Sequence, residues 1–221
     1  MLRPREDVGR AIGSDEEVAL LGACRASRSR SLYPIVLLAL NTCMRYSELR
    51  LLRWVQVNLS SCTITVGYSK TESGTGRVLP LNDRAVAILR FWASLVPDRE
   101  PSDFVFPAER YGASGDGATV VYDVDVMRPI GRWKEAWETA KKRAGVHCRF
   151  HDLRHTGCTR MLEAGMPFSV VATIMGWSAS TIVRMAKRYG HIGQSAQRHA
   201  VDALQGFNFD GDGAQNWAQS Q

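Results

Sequence analysis

Six side chains, set at long intervals, are of the types needed to move a phosphoryl group. Arg45 in TCMRYSELRLLRW and Arg154 in FHDLRHT supply two guanidiniums, each able to grip two phosphate oxygens at once. Lys70 in GYSKTESGTGRVLPL and His151, three residues before Arg154, are groups for proton traffic. Trp177 in IMGWSAS adds an indole N–H, which donates and never accepts. Tyr189 in AKRYGHI adds a phenol as nucleophile. Metal-ligand spacings and Gly-rich nucleotide loops do not occur in the sequence. The set fits phosphoryl transfer through a covalent phosphotyrosine.

Each residue also has a plainer reading. Arg45 and Glu48 stand three apart, on one helical face, and an isolated Arg-x-x-Glu is an ordinary surface ion pair. The core-like neighbours Leu49, Leu52 and Trp54 instead turn this pair toward a cleft, where Glu48 can orient the guanidinium. Lys70 ends a strand before a Gly-rich turn. Alone it is a common hairpin lysine, but such a turn can hold an ammonium over a substrate from outside the helical body. His151 and Arg154 share a face at a helix start, where Asp152 suits the helix dipole and polar groups make a phosphate site. By itself His151 reads as a half-buried histidine with its bonds satisfied, a description that suits His155 better. A tryptophan after a glycine, as in Gly176-Trp177, usually fills a core. Position does not separate Tyr189 from Tyr33, Tyr46, Tyr68, Tyr111 or Tyr122.

These groups need a scaffold, and the hydrophobic pattern supplies mostly helix. Ser14 before Asp15, Glu16 and Glu17 reads as an N-cap with acids in the first turn, opening a helix to about Arg28. An apolar helix follows from Leu32 to Thr42, and Ser47 caps a short one through Arg53. The period then switches. VQVNL, CTITVGY and GRVLPL are short β-branched segments separated by polar turns, which predicts a small three-stranded antiparallel sheet. Asn82 and Asp83 restart helix to about Leu95, and Pro97 ends it. Residues 107–123, rich in Gly, Ala and Ser, read as an exposed loop. Helices are expected again over roughly 126–144, 152–164, 167–175, 179–188 and 194–205. The fold class is therefore mixed: mainly α, with a small three-stranded antiparallel β-sheet. Residues 1–13 are expected to be a flexible lead-in, 14–206 the domain that carries the site, and the polar, Gly-rich 207–221 a mobile tail.

At 221 residues the chain is long enough for one good-sized domain, and 45% apolar with 23% charged residues is ordinary for a folded one. The longest apolar run, Ile35 to Leu40, is far short of a membrane span. MLRPREDVGR carries charges where an export signal would be apolar. The net charge of +6 suits a polyanionic partner, although a mildly basic solvated surface would give the same number. Distribution says more. Residues 181–201 contain Arg184, Lys187, Arg188 and Arg198 and no acid, so the basic excess lies beside the candidate nucleophile. The five cysteines, an odd number without metal-ligand spacing, point to a reducing cytoplasm; Cys24, Cys43 and Cys158 sit in apolar helical patterns as small core residues.

Taken in order, these strings resemble the catalytic domain of the tyrosine recombinases, the phage-integrase family, over about residues 14–205. The family's first arginine and its acid match Arg45 and Glu48. Its β-hairpin lysine matches Lys70, and its H-x-x-R matches His151 and Arg154. Its third His-or-Trp position falls on Trp177, and its nucleophile on Tyr189. The 23 residues from Arg154 to Trp177 are the family's usual interval; the twelve from Trp177 to Tyr189 exceed the usual nine by nearly one helical turn.

The resemblance implies a metal- and ATP-independent DNA strand transferase without cofactor. Arg45, Lys70, His151, Arg154, Trp177 and Tyr189 would be catalytic and Glu48 would orient the site. Arg184, Lys187 and Arg188 would grip double-stranded DNA. The product of cleavage would be a 3′-phosphotyrosine, and a synaptic tetramer on DNA would exchange strands, from a monomer in solution. A cytoplasmic, nucleoid-associated protein is expected. The family's N-terminal DNA-clamping domain has no counterpart here, which makes the chain a catalytic fragment or a truncated member. A type IB topoisomerase-like nicking and resealing enzyme, and a non-catalytic DNA-binding remnant, are the alternatives that share these residues.

Overall fold

The computed structural model describes residues 9–113 and 119–189, together with Arg198 and Asp202. The chain divides into two compact units, residues 1–182 and 183–221. The first is organised around α2 (Leu32–Thr42), whose sequence LYPIVLLALNT buries nine of its eleven residues. A helix that is apolar all round must be covered on every side. Here α1 (Ser14–Arg25), α4 (Asp83–Ser94) and α6 (Phe150–Glu163) pack against it, and α1 also packs on α5 (Lys134–Ala144). The core runs through Leu20, Leu32, Ile35, Leu38, Leu89, Trp92 and Leu153. One buried carboxylate, Glu17 on α1, accepts from Arg84 on α4 and Arg160 on α6 and so ties three of these helices.

The expected three-stranded sheet is present. β1 (Val57–Asn58), β2 (Thr63–Thr65) and β3 (Val78–Pro80) pair antiparallel in that order, with Ile64 opposite both Val57 and Leu79. Ile64 and Leu79 turn into the core and their neighbours turn out, the period of two that the β-branched segments require. Of the residues expected as a loop, 107–113 and 119–123 are strand, and 114–118 lie outside the described residues. β4 (Pro107–Ala113) and β5 (Thr119–Pro129) form an antiparallel hairpin with register shifts at Pro107/Ala108 and Arg110/Tyr111. The TVVYDVDVM run alternates as a strand should, but the Gly- and Ser-rich stretch beside it hides the pattern. As β5 extends to Pro129, α5 begins at Lys134, eight residues later than expected.

The end of the expected lead-in is docked. Ile12 is buried, its N–H donates to Thr156 Oγ1 at 3.0 Å, and Arg10 Nε reaches the His147 carbonyl at 3.0 Å. Two short helices complete the scaffold: α3 (Tyr46–Arg50) after α2, and α7 (Phe168–Met175) after α6. The last helix described, α8 (Ala179–Tyr189), runs into the second unit. The helix expected over 194–205, save for Arg198 and Asp202, and the tail over 207–221 lie outside the described residues. Burial pushes the thiol of Cys24 up to about 12 and those of Cys43 and Cys148 up to about 11, so these cysteines pack as neutral thiols. Among the described residues no helix is long and apolar enough to cross a membrane.

Candidate active site

α2 stops abruptly at Cys43, which adopts the left-handed conformation with φ 55°. That turn sends Met44 into the core and places Arg45 at the start of α3. Glu48 then closes the helix N-terminus: its Oε2 accepts from the Arg45 backbone N–H at 2.8 Å, the carboxylate half of a capping box. The same carboxylate is the hub of the site. Its Oε1 accepts from Arg45 Nη1 at 2.8 Å, from Ser69 Oγ at 2.6 Å and from Arg77 Nη1 at 3.0 Å, while Oε2 accepts from Arg77 Nη2 at 2.7 Å.

Burial alone would raise the Glu48 pKa. The bonds from Arg77, Ser69 and the Arg45 amide outweigh it and bring the carboxyl from 4.5 down to about 2. A carboxyl with a depressed folded-state pKa contributes stability above its unfolded value and loses it as pH falls toward the folded value. In urea denaturation the charge-dependent part of the gap between the wild type and Glu48→Gln is therefore expected to be about 3 kcal/mol near pH 7. It should shrink as pH drops from 4.5 toward 2; a gap indifferent to pH would mean that Glu48 is not ionised in the fold.

The turn between β2 and β3 is tied to this hub on both sides of Lys70. Ser69 Oγ accepts from Arg45 Nη1 at 2.9 Å while donating to Glu48, and Thr71 Oγ1 donates to the Gly176 carbonyl at 3.2 Å. Lys70 lies between these two anchors with its side chain exposed. Glycine is required twice here. A Cβ at Gly74 would meet Ser69 Oγ at 2.4 Å, and one at Gly176, which has φ +56°, would meet Gly74 Cα at 2.9 Å.

Arg154 rises from the first half of α6 into the same place. It is buried, with Nη1 donating to the Cys43 carbonyl and Nη2 to the Met175 carbonyl. Arg45 Nη2 donates to the next carbonyl along, that of Gly176, at 3.1 Å. The two guanidiniums therefore meet at the C-terminus of α7, whose terminal carbonyls carry the negative end of the helix dipole. Desolvation, followed by the charge of Arg45, lowers the Arg154 pKa to about 10, which leaves it charged at neutral pH.

His151 stands at the start of α6, three residues before Arg154, and is exposed. Its ring meets that of His155 edge to face at 5.0 Å. Desolvation first, then the neighbouring His155 and Arg154, lower its pKa to about 4, although part of the side chain still faces solvent. At pH 7 it is a neutral imidazole, the form that can accept a proton. The α6 N-terminus is set by Asp152, which accepts from the Arg149 backbone N–H at 2.8 Å.

Trp177 follows Gly176 directly, is buried, and packs on Phe168 with ring centroids 5.6 Å apart. This packing is the core-filling reading of the residue. Tyr189 is the last residue of α8; its side chain and that of Arg188 lie outside the described residues. Arg184 and Lys187 are exposed on α8. Among the described residues no three His, Cys, Asp or Glu side chains cluster as metal ligands.

Sequence reasoning missed four participants: Arg77, Ser69, Thr71 and the Gly176 backbone. Arg77 had a usable signal. It precedes a strand whose Leu79 points inward, so alternation turns Arg77 inward as well, and a buried arginine needs a buried carboxylate. Ser69 and Thr71 offered no signal, because hydroxyl residues are common in any turn.

A family model described as the phage integrase family matches residues 10–195. The chain is 29% identical over 163 residues to an integrase of Salmonella phage P22, covering 72% of this chain and 38% of that protein. It is 30% identical over 194 residues to a shufflon-specific DNA recombinase of Escherichia coli, covering 86% and 42%. The chain thus spans about two-fifths of the length of these two relatives. Among solved structures, the catalytic domain of bacteriophage HP1 integrase shares the fold, with a TM-score of 0.60 and 23% identity over 87% of this chain and 94% of that one. The family match runs through nearly the whole chain and takes in Arg45, Lys70, His151, Arg154, Trp177 and Tyr189: this chain belongs to the phage integrase family.

Proposed function

We propose that residues 14–206 are the catalytic domain of a site-specific DNA recombinase that breaks and rejoins DNA through a 3′-phosphotyrosine on Tyr189. One observation carries most of this reading. Arg45 and Arg154, 109 residues apart in sequence, donate to the consecutive carbonyls of Gly176 and Met175. Arg154 spends Nη1 and Nη2 on carbonyls, and a guanidinium has five N–H donors, so both side chains retain donors for the non-bridging oxygens of a phosphodiester. Two fixed cations there neutralise the charge that builds up on the pentacoordinate phosphorus.

The remaining roles follow from chemistry and position. Tyr189 Oη attacks phosphorus and the bond to the 5′ oxygen breaks. Neutral His151 takes the phenolic proton or donates to the phosphate once protonated. Lys70, exposed between its two anchors, gives a proton to the departing 5′ oxygen, and Trp177 adds an indole hydrogen bond. A phenol, with a pKa of about 10, leaves more readily than a sugar alkoxide. Rejoining is the reverse attack by a 5′ hydroxyl, so the ester's energy is kept and neither ATP nor a metal is needed. Arg184, Lys187 and Arg188 would hold the duplex by its phosphates. A synaptic tetramer assembled on DNA from monomers, in a cytoplasmic and nucleoid-associated setting, belongs to the same proposal.

Incubation with a nicked suicide duplex in EDTA and without nucleotide should yield a protein–DNA adduct stable to SDS. No adduct, with duplex binding intact, would reduce the chain to a DNA-binding module. Plasmid relaxation without exchange between defined sites would favour a topoisomerase. Duplex binding followed by fluorescence anisotropy is expected to weaken by about tenfold or more between 50 and 200 mM salt, through release of counterions. Salt-independent binding would contradict a phosphate-gripping face.

A further inference from the structure

We infer that Arg77 is the counter-ion that prevents Glu48 from consuming the charge of Arg45, and so sets the positive charge that the site presents to a phosphate. The inference rests on the reading of Arg45 and Arg154 as phosphate-binding groups. Arg77 itself is a positioning residue. All three of its guanidinium nitrogens are engaged inside the protein: Nε with the Ile174 carbonyl at 3.1 Å, Nη1 with the Gly74 carbonyl at 2.7 Å and with Glu48 Oε1, and Nη2 with Glu48 Oε2. Its side chain is 5% exposed, against 17% for Arg45.

The division of Glu48 between its two arginines is unequal. Arg77 meets both carboxylate oxygens with its two terminal nitrogens, the fork geometry that makes the strongest pairing. Arg45 reaches only Oε1 with its side chain, and shares that oxygen with Ser69 and Arg77. Ile174 and Gly74 hold the Arg77 fork in line, so Glu48 is already neutralised when Arg45 approaches. Arg45 and Arg77 bond to this one carboxylate, and Arg154 meets Arg45 at the end of α7, which leaves two positive charges unbalanced. A phosphodiester carries one negative charge and its pentacoordinate state carries two. Without Arg77, Glu48 would close on Arg45, and the site would present a single charge to a state that needs two.

The test uses the full chain and inorganic phosphate as probe, with affinity read from phosphorus NMR line broadening at constant ionic strength. Folding is checked by circular dichroism and melting. Arg77→Gln should weaken phosphate binding about tenfold, the scale of one charged hydrogen-bonding partner. Arg77→Lys, which keeps the charge, should stay within about threefold of the wild type. The double variant Glu48→Gln/Arg77→Gln removes one charge of each sign and should bind phosphate more tightly than Arg77→Gln, a recovery that a packing role would not produce. A double variant no better than folded Arg77→Gln would overturn the inference. Should Arg77→Gln not fold, a tenfold loss in Arg77→Lys would overturn it, and retention there would support it. Phosphate binding needs no strand cleavage, so the two readings fail separately. The expected affinity order without any DNA adduct would sink the catalytic proposal alone; an adduct with the affinity order absent would sink this inference alone.

Discussion

Arg154→Ala is expected to abolish strand cleavage, with a loss of at least about 10³-fold in the rate of adduct formation. The residue does two things at once. Its guanidinium bridges the carbonyls of Cys43, at the end of α2, and of Met175, at the end of α7, and in the proposed mechanism it shares the phosphate with Arg45. Alanine leaves both buried carbonyls without this donor, at a cost of about 1–3 kcal/mol each. The urea midpoint should therefore fall as well. Arg154→Lys separates the effects. An ammonium keeps the charge but cannot span two carbonyls and still grip a phosphate bidentately, so most of the rate loss should persist with a smaller loss of stability. Single-turnover cleavage beside denaturation melts gives the comparison. An Arg154→Ala protein that cleaves within tenfold of the wild type would remove Arg154 from the chemistry.

Gly176→Ala should damage the site almost as severely without touching any side chain assigned to catalysis. Gly176 has φ +56°, closes α7 and lends its carbonyl to both Arg45 and Thr71. A methyl group there meets Gly74 Cα at 2.9 Å, and backbone cannot step aside as a long side chain can. The left-handed conformation adds about 1 kcal/mol and the overpacking about 1–3 kcal/mol. The cheapest relief is to lift the β2–β3 turn, which carries Lys70 away from Arg45. Cleavage of an ordinary phosphodiester should then fall about 10²-fold, the usual contribution of a placed proton donor. A substrate with sulfur in place of the 5′ bridging oxygen should recover much of that loss, because a thiolate, conjugate to a thiol of pKa about 8.5, departs without a proton. Equal losses on both substrates would show that the turn has not moved Lys70.

Much of this was legible in the sequence, and the reasons differ by element. α2 was readable because the apolar run Ile35 to Leu40, flanked by Leu32 and Tyr33, has too few polar side chains to leave a face in water. The three strands were readable from β-branched alternation, even though each pairs over only two or three residues. The β4–β5 hairpin was missed because its Gly-rich middle outweighs the alternation of TVVYDVDVM. In the site, Arg45 with Glu48 and His151 with Arg154 announce themselves as same-face pairs on helices. What joins them does not. Arg45 and Arg154 meet through the carbonyls of Met175 and Gly176, which have no side-chain signature, and Glu48 is held by Arg77, 29 residues away on another element. Local pattern reports which face a residue takes; it does not report which distant backbone atoms that face will find. Arg77 shows the limit most clearly, since its inward direction was readable and its partner was not.

The most direct measurement is peptide mapping of the covalent adduct trapped on a nicked suicide duplex. The phosphotyrosine is expected on the peptide that contains Tyr189, and Tyr189→Phe should form no adduct while keeping duplex affinity and melting temperature. An adduct that persists in Tyr189→Phe, or that maps to any other tyrosine, would contradict the assignment of the nucleophile and with it the mechanism proposed for this chain.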